Sequence, residues 1–306
     1  MELITGENDK GRRVDRVLRK ALPEHPLPLL HRLLRQGKVF VNGKPVKAQS
    51  RLDSGVKISI PSLKNENIAP LSAPLSAPLA DSYETTINIP QIIWQGEGLI
   101  AFYKPSGLAV HGDNSLDTQV RILLSGKLPP SLSFTPGPLH RLDKPSSGIV
   151  VFSTSIDGAR TFSSLMRERK IKKTYLAIME GNVEKEEIWE DALVRDKEKK
   201  TTFVSQQDSA GKTAVTKIIP LATANGLTFA QVEITTGRTH QIRAQAAFHG
   251  HPLLGDQKYG STVKHGKAGR AGSFFLHAWK LEFLDTIIEA PLPQAFSEKI
   301  KQLFEK

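Results

Sequence analysis

The sequence predicts an α+β protein in two parts. A small, basic helix-helix-hairpin domain precedes a larger domain built on a mixed, mainly antiparallel β-sheet with flanking helices. Three observations predict this. The larger region carries many short strand-like runs interrupted by a few helical ones, an order that favours mixed α+β over alternating α/β. The first 62 residues hold 13 Lys and Arg against 6 Asp and Glu, net +7 of the chain's +11. Between the two parts Leu71-Ser72-Ala73-Pro74 is repeated as Leu75-Ser76-Ala77-Pro78, a composition that favours an extended, poorly packed linker. The expected division is residues 1–62, a linker over 63–82, and a second domain over 83–306.

In the first part, Val14, Val17, Leu18 and Ala21 recur at helical spacing, with Arg12, Arg13, Arg16 and Arg19 beside them. A second helix begins near Pro28 and buries Leu30, Leu33 and Leu34. Arg32 and Arg35, three apart, fall on one face of it. Lys38-Val39-Phe40-Val41 then alternates like a strand and meets Asn42-Gly43, a tight-turn dipeptide. Val56 to Ile60 closes the module as another alternating strand.

In the second part, strands are expected at Ile92–Trp94, Leu99–Tyr103, Ile149–Phe152, Thr174–Met179, Thr201–Val204, Val215–Pro220, Phe229–Ile234 and Ala278–Phe283. Helices are expected over 117–125, 157–169, 240–249 and 295–304.

Composition narrows the function classes. The chain of 306 residues is 39% hydrophobic and 24% charged, enough for ordinary cores. No apolar run approaches the roughly 20 residues of a membrane span, and the N-terminus lacks a secretory leader's pattern. The absence of cysteine removes disulfides and thiolate metal sites. No Gly-x-Gly-x-x-Gly or phosphate-loop motif supports a nucleotide cofactor, and no His or carboxylate cluster has metal-ligand spacing. A cytoplasmic monomer is the expectation. The excess of positive charge points to a polyanionic partner, RNA above all; a solvated basic surface is the plainer alternative.

The chemistry is concentrated in His140-Arg141-Leu142-Asp143-Lys144-Pro145-Ser146-Ser147-Gly148. A lone carboxylate sits between an arginine-bearing turn and the apolar run Ile149 to Phe152. Far downstream lies Thr236-Gly237-Arg238-Thr239-His240-Gln241-Ile242-Arg243. A carboxylate before a strand and a distant arginine are the parts of a paired, desolvated nucleophile, although a lone Asp at such a place is more often a turn cap. Two further runs complete the set: Lys104-Pro105-Ser106-Gly107-Leu108-Ala109-Val110-His111, and Lys172-Lys173-Thr174-Tyr175-Leu176-Ala177-Ile178-Met179-Glu180-Gly181. Gly255-Asp256-Gln257-Lys258-Tyr259-Gly260 extends the arginine-rich run.

In order, spacing and content these segments resemble the RluA-type pseudouridine synthases over residues 90–295. Gly11 to Leu18 and Leu33 to Gly43 resemble the small RNA-binding domain named after small-subunit ribosomal protein S-four. The resemblance implies isomerisation of uridine in RNA, with large-subunit ribosomal RNA as the expected substrate and transfer RNA as the alternative. A non-catalytic RNA-binding assembly factor is the rival of another class. A glycoside hydrolase lacks its second carboxylate in these motifs.

The resemblance also implies roles. Asp143 matches the essential aspartate, Arg243 the arginine paired with it, and Tyr175 the active-site tyrosine that stacks on the uracil and could move a proton. Because the target base must leave its stack, Arg141 is the candidate wedge. His140, Lys104, Arg238 and Ile242 are candidate substrate contacts. In the first domain, Arg12, Arg13, Arg32, Arg35 and Lys38 are candidate phosphate contacts, which position RNA without reading sequence. No metal and no cofactor are implied. The chain departs from the family's usual pattern at Ser146, where Thr is usual, at Pro145 after Lys144, and at Gln245, where His is common; none of these touches Asp143, Tyr175 or Arg243.

Overall fold

The computed structural model describes residues 1–61, 89–205, 211–263 and 274–305, so the expected linker over 63–82 lies outside the described residues. The chain forms two compact units, one of Met1–Ile89 with Leu124–Pro136, the other of Pro90–Leu123 with Gly137–Lys306.

The first unit contains strand β1 (Glu2–Ile4), helices α1 (Val14–Ala21) and α2 (Leu27–Arg35), and strands β2 (Phe40–Val41), β3 (Lys44–Pro45) and β4 (Lys57–Ser59). Its four strands pair in the order β1-β4-β2-β3. The Asn42-Gly43 turn joins β2 to β3 with φ of 47° and 79°, the left-handed pair that a two-residue hairpin needs. Val14, Val17 and Leu18 of α1 and Leu30, Leu33 and Leu34 of α2 pack on Val39 and Ile58.

The sequence reading did not foresee that residues 124–136 belong to this unit. Their anchor is Asp9, which is fully buried. Its carboxylate accepts the Leu132 amide at 2.8 Å and the Ser131 hydroxyl at 2.8 Å, and it also accepts the Ser133 hydroxyl. Leu132 packs against the same apolar cluster. A carboxylate with that many donors is satisfied without water.

The second unit is built on an 11-stranded sheet. In chain order its elements are β5 (Ile92–Gly96), β6 (Leu99–Lys104), α3 (Leu116–Leu124), β7 (Gly137–Pro138), β8 (Ser147–Ser153), α4 (Ile156–Arg167), β9 (Lys172–Glu180), β10 (Glu187–Asp196), β11 (Thr201–Val204), β12 (Lys212–Ala224), β13 (Leu227–Ile234), α5 (Gln241–Phe248), β14 (Leu276–Phe283), β15 (Thr286–Glu289) and α6 (Gln294–Phe304). The strand order is β11-β10-β12-β13-β9-β14-β8-β6-β5, with β15 on β14 and β7 on β8. Pairing is antiparallel except between β14 and β8.

Strands β10 and β15 had not been expected. In β10 only Trp189 and Leu193 are buried hydrophobics, so its period is masked by Glu187, Glu190, Asp191, Arg195 and Asp196.

Strand β8 is buried along its whole length, which explains its continuous apolar run. Strand β9 alternates: Ala177 and Met179 face a core shared with Trp189, Val232 and Ile242, and Leu176 and Ile178 face one shared with Phe275 and Phe296. Tyr175 lies on the first of these faces and packs against its margin.

The parallel contact of β8 with β14 is close. Gly148 has φ +117°, and a Cβ there would lie 2.2 Å from the Ala278 carbonyl oxygen, against backbone that cannot swing aside. Gly148→Ala is therefore expected to lower stability by about 2 kcal/mol or more. A denaturant midpoint that falls at unchanged slope checks this.

Candidate active site

The turn that carries Asp143 precedes β8 and is tied down along its length. The Lys144 carbonyl accepts both the Gly107 amide at 2.8 Å and the Lys104 ammonium at 3.1 Å. The Ser106 hydroxyl donates to the Pro145 carbonyl at 2.6 Å, and the Ser146 amide closes the turn on the Asp143 carbonyl at 3.1 Å. The segment from Lys104 to Leu108 is thus a brace for the turn.

Arg243 comes from α5 and is only 6% exposed. Its Nη1 donates to Asp143 Oδ2 at 3.0 Å. Its Nε and Nη2 donate to the two oxygens of Asp256 at 2.6 and 2.8 Å, a bidentate fork. The guanidinium carbon lies 4.6 Å from the Tyr259 ring centroid and 4.5 Å from that of Phe274. Burial works against the guanidinium's charge, but the hydrogen bonds and charge of Asp256, then Asp143, outweigh it and push its pKa up. Arg243 is a fixed cation, and Asp143 is one of its two counter-charges.

Asp143 opens on a cavity of about 70 Å³ lined also by Arg141, Leu142, Ser146, Tyr175, Ile234, Arg238, His240, Gln241, Ile242 and Leu276. Its lining combines apolar side chains with the ionic pair. Burial, then the charge of Asp143, pushes the Tyr175 phenol up, so it rests protonated. That suits a stacking ring and a proton donor, and it weighs against a resting phenolate.

The structure brings Asp143, Tyr175, Arg243, Arg141, Arg238 and Ile242 together around this cavity. Arg141 is exposed and has no ion pair among the described residues. Arg238 is half-buried, its Nε held by the Thr213 carbonyl at 3.1 Å. Ile242 serves both core and cavity wall.

Two expected substrate contacts, Lys104 and His140, are bonded within the protein. Lys104 is fully buried, and its Nζ donates to the carbonyls of Pro105, Leu108 and Lys144 at 3.0, 2.7 and 3.1 Å. It braces the turn that carries Asp143, and its three N–H donors are all taken by carbonyls. Burial pushes its pKa down to about 7, with Asp143 opposing. His140 accepts the Val151 amide on Nε2 at 3.1 Å and stacks on Phe162. Burial, helped by the charge of Lys173, lowers its pKa to about 3, so it is a neutral structural ring.

The sequence reading quoted Asp256, Tyr259 and His240 within motifs but gave them no role, and it passed over Phe274. No local pattern marks a residue whose role is to hold another side chain. Gln245 is fully buried, bonded to Thr216, Asp191 and the backbone, in keeping with giving it no acid–base task.

In the first unit a roomier concavity of about 370 Å³ is lined by Arg12, Arg13, Asp15, Arg16, Arg19, Lys20, Leu27 and His31. It is a groove lined mainly by cations. Arg12 is bound to the Ser133 carbonyl and hydroxyl at 2.8 and 2.7 Å, and Arg13 to Asp15 at 2.6 Å, so these two phosphate candidates are partly committed within the protein. Arg16, Arg19 and Lys20 are the exposed cations of the groove. Arg32, Arg35 and Lys38 are exposed as expected, but they lie outside it.

Comparison with known proteins agrees with this geometry. The family model described as RNA pseudouridylate synthase matches residues 98–248, and that of the S4 domain matches residues 12–58. The chain is 30% identical to ribosomal large subunit pseudouridine synthase C of Vibrio vulnificus (strain CMCP6), over 94% of this chain and 89% of that one. It is 28% identical to the protein of the same name from Escherichia coli (strain K12), over 97% and 94%. The solved structure of human RNA pseudouridylate synthase domain containing 4 superposes with a TM-score of 0.58 at 23% identity, over 70% of this chain and 93% of that one, a likeness of fold.

The brace assigned to Lys104 is testable. Lys104→Met should lower the single-turnover rate at saturating RNA while leaving RNA affinity within a few-fold. Filter binding beside single-turnover conversion separates this from a direct RNA contact, for which affinity would fall first.

Proposed function

This chain belongs to the RNA pseudouridylate synthase family, and from that premise we propose that it isomerises uridines of large-subunit ribosomal RNA, with Asp143 attacking a uridine turned out of its stack. The chain is an RNA pseudouridine synthase. Its reaction breaks the bond from ribose C1′ to uracil N1 and makes one from C1′ to C5. The proton lost at C5 is matched by the one gained at N1, so atoms and redox state balance within the substrate.

The observation that supports the role of Asp143 is its pairing with Arg243 at 3.0 Å on the wall of a cavity that Tyr175 also lines. A carboxylate held by a buried guanidinium keeps a fixed rotamer, and a nucleophile so placed divides one difficult step into easier ones. Attack at the anomeric carbon, attack at the uracil ring and expulsion of the base through a glycal all use a carboxylate in this position. In each, Tyr175 stacks on the base while its phenol, protonated at rest, is placed to donate.

Turning the nucleotide out costs a few kcal/mol of stacking. The exposure of Arg141 and its place in the lining of the same cavity support it as the side chain that fills the gap. The choice of large-subunit ribosomal RNA is supported by the relatives from Vibrio and Escherichia that carry that description.

The decisive experiment compares pseudouridines in total RNA from cells with and without the protein, and from cells carrying Asp143→Asn. Large-subunit sites should vanish in both deficient strains, and the purified variant should bind RNA within a few-fold of wild type, because the carboxylate repels phosphate. Turnover near wild type in Asp143→Asn would remove it from the chemistry, and loss of transfer-RNA sites alone would reassign the substrate.

The basic groove makes a separate prediction. Excising residues 1–62 would strip Leu132 and Ser133 of their partners, so point substitutions are the cleaner probe. Replacing Arg16, Arg19 and Lys20 by Ala should weaken RNA binding. The slope of log affinity against log salt should flatten by about 0.7 for each lost contact to single-stranded phosphate. Conversion at saturating RNA should be preserved, and titrations at several salt concentrations check both statements.

A further inference from the structure

His240 is a strained residue beside the nucleophile. It caps α5 in the left-handed region, with φ 53° and ψ 26°. Such a conformation is uncommon outside glycine and persists where surrounding contacts enforce it. Here it turns the imidazole so that one nitrogen faces Asp143 and the other faces Tyr259. Nε2 lies 3.6 Å from Asp143 Oδ1, and Nδ1 lies 2.8 Å from the Tyr259 hydroxyl. That hydroxyl oxygen in turn accepts the Thr202 amide at 2.8 Å.

The direction of this chain follows from counting protons. A backbone amide can only donate, so Thr202 fills one acceptor site of the Tyr259 oxygen and leaves the phenolic proton free for His240. A neutral imidazole carries one proton. On Nδ1 it would leave the Nε2 lone pair facing a carboxylate, which is repulsive. On Nε2 it points a donor at Oδ1 and leaves Nδ1 to accept from Tyr259. Burial lowers the His240 pKa, Asp143 opposes that, and Arg243 and Lys258 reinforce it, in keeping with a neutral ring. The phenol is likewise pushed up by burial.

We propose that His240 and Tyr259 are positioning residues for Asp143: Tyr259 fixes the imidazole as its Nε2–H tautomer, and that N–H steadies the carboxylate oxygen opposite the one held by Arg243. The contact at 3.6 Å is too long to be a hydrogen bond as it stands. Donors around a reacting group are often long in the free enzyme and tighten in the substrate complex. Arg243 Nη1 on Oδ2 and His240 Nε2 near Oδ1 give the carboxylate a separate partner for each oxygen. Tyr259 has a second task, since its ring covers the Arg243 guanidinium. The Phe substitution keeps the ring and removes only the hydroxyl, so the two tasks can be separated.

The inference rests on Asp143 being the attacking group, and Asp143→Asn serves as the control for that reading. The test uses the full chain with Tyr259→Phe, His240→Leu and His240→Gln, measuring single-turnover rate at saturating RNA, RNA affinity, the pH profile of the rate, and the His240 tautomer by ¹⁵N NMR. Tyr259→Phe and His240→Leu should each lower the rate about tenfold or more, the loss expected for a hydrogen bond to a charged group, with RNA affinity unchanged. His240→Gln, which can offer an amide N–H in place of Nε2–H, should recover part of the loss.

The groups facing His240 are Asp143, Arg243, Asp256, Lys258 and Tyr259. Without the Tyr259 hydroxyl, Nδ1 is free to take a proton. In Tyr259→Phe the ring's single proton should therefore shift toward Nδ1, which the ¹⁵N tautomer measurement reads, and the rate should be lowered across the pH profile. A wild-type rate and pH profile in Tyr259→Phe, or an Nδ1–H tautomer in the wild type, would overturn the proposal. If Asp143→Asn is inactive in the same assays, the reading of Asp143 stands while the His240–Tyr259 inference falls.

Discussion

Arg243 is the side chain on which the rest of the catalytic unit depends. A guanidinium that is almost wholly buried is unstable without compensation, and removing one partner from such a group is far more costly than never having formed it. Asp256, itself 1% exposed, supplies a bidentate carboxylate, and Tyr259 and Phe274 supply two ring contacts. Of the guanidinium's five N–H donors two go to Asp256, and one on Nη1 goes to Asp143. The pairing draws together α5, the segment that follows it, and the turn before β8, so the cavity forms where those elements meet.

The cation bonded to Asp143 is Arg243. Tyr175 rests as a phenol, and His140 is a neutral ring locked to the Val151 amide. Lys104, the other nearby cation, has its donors absorbed by carbonyl oxygens, so it stiffens the turn without offering RNA a contact. A carboxylate held this way has little freedom to reorient, the kind of preorganisation that favours charge stabilisation in a site.

The N-terminal unit follows a different logic. Its cations on α1 stand out toward solvent, where long-range attraction to a polyanion acts, and its one fully buried carboxylate, Asp9, organises a loop. Charge there is suited to capture, and charge in the catalytic unit to chemistry. The two uses differ in burial: exposed cations exchange counterions with RNA, and a buried cation fixes the geometry of one oxygen.

The sequence by itself determined the α+β class, the helix-helix-hairpin unit and most strands of the large sheet, and it marked Asp143, Tyr175 and Arg243 as candidates. Those features rest on local periodicity, on turn residues such as Asn42-Gly43, and on short motifs whose resemblance to a family extends along the chain. The tertiary structure alone decided that Lys104 and His140 are braces and that Arg12 is tied to Ser133. It also placed residues 124–136 in the first unit and gathered Asp256, Tyr259, Phe274 and His240 around the Asp143–Arg243 pair. The reason is physical. Periodicity records whether a residue faces core or solvent, whereas the role of a polar side chain is set by which donors and acceptors lie within about 3 Å of it. In the Asp143–Arg243 pair those partners are 100 residues apart in the chain.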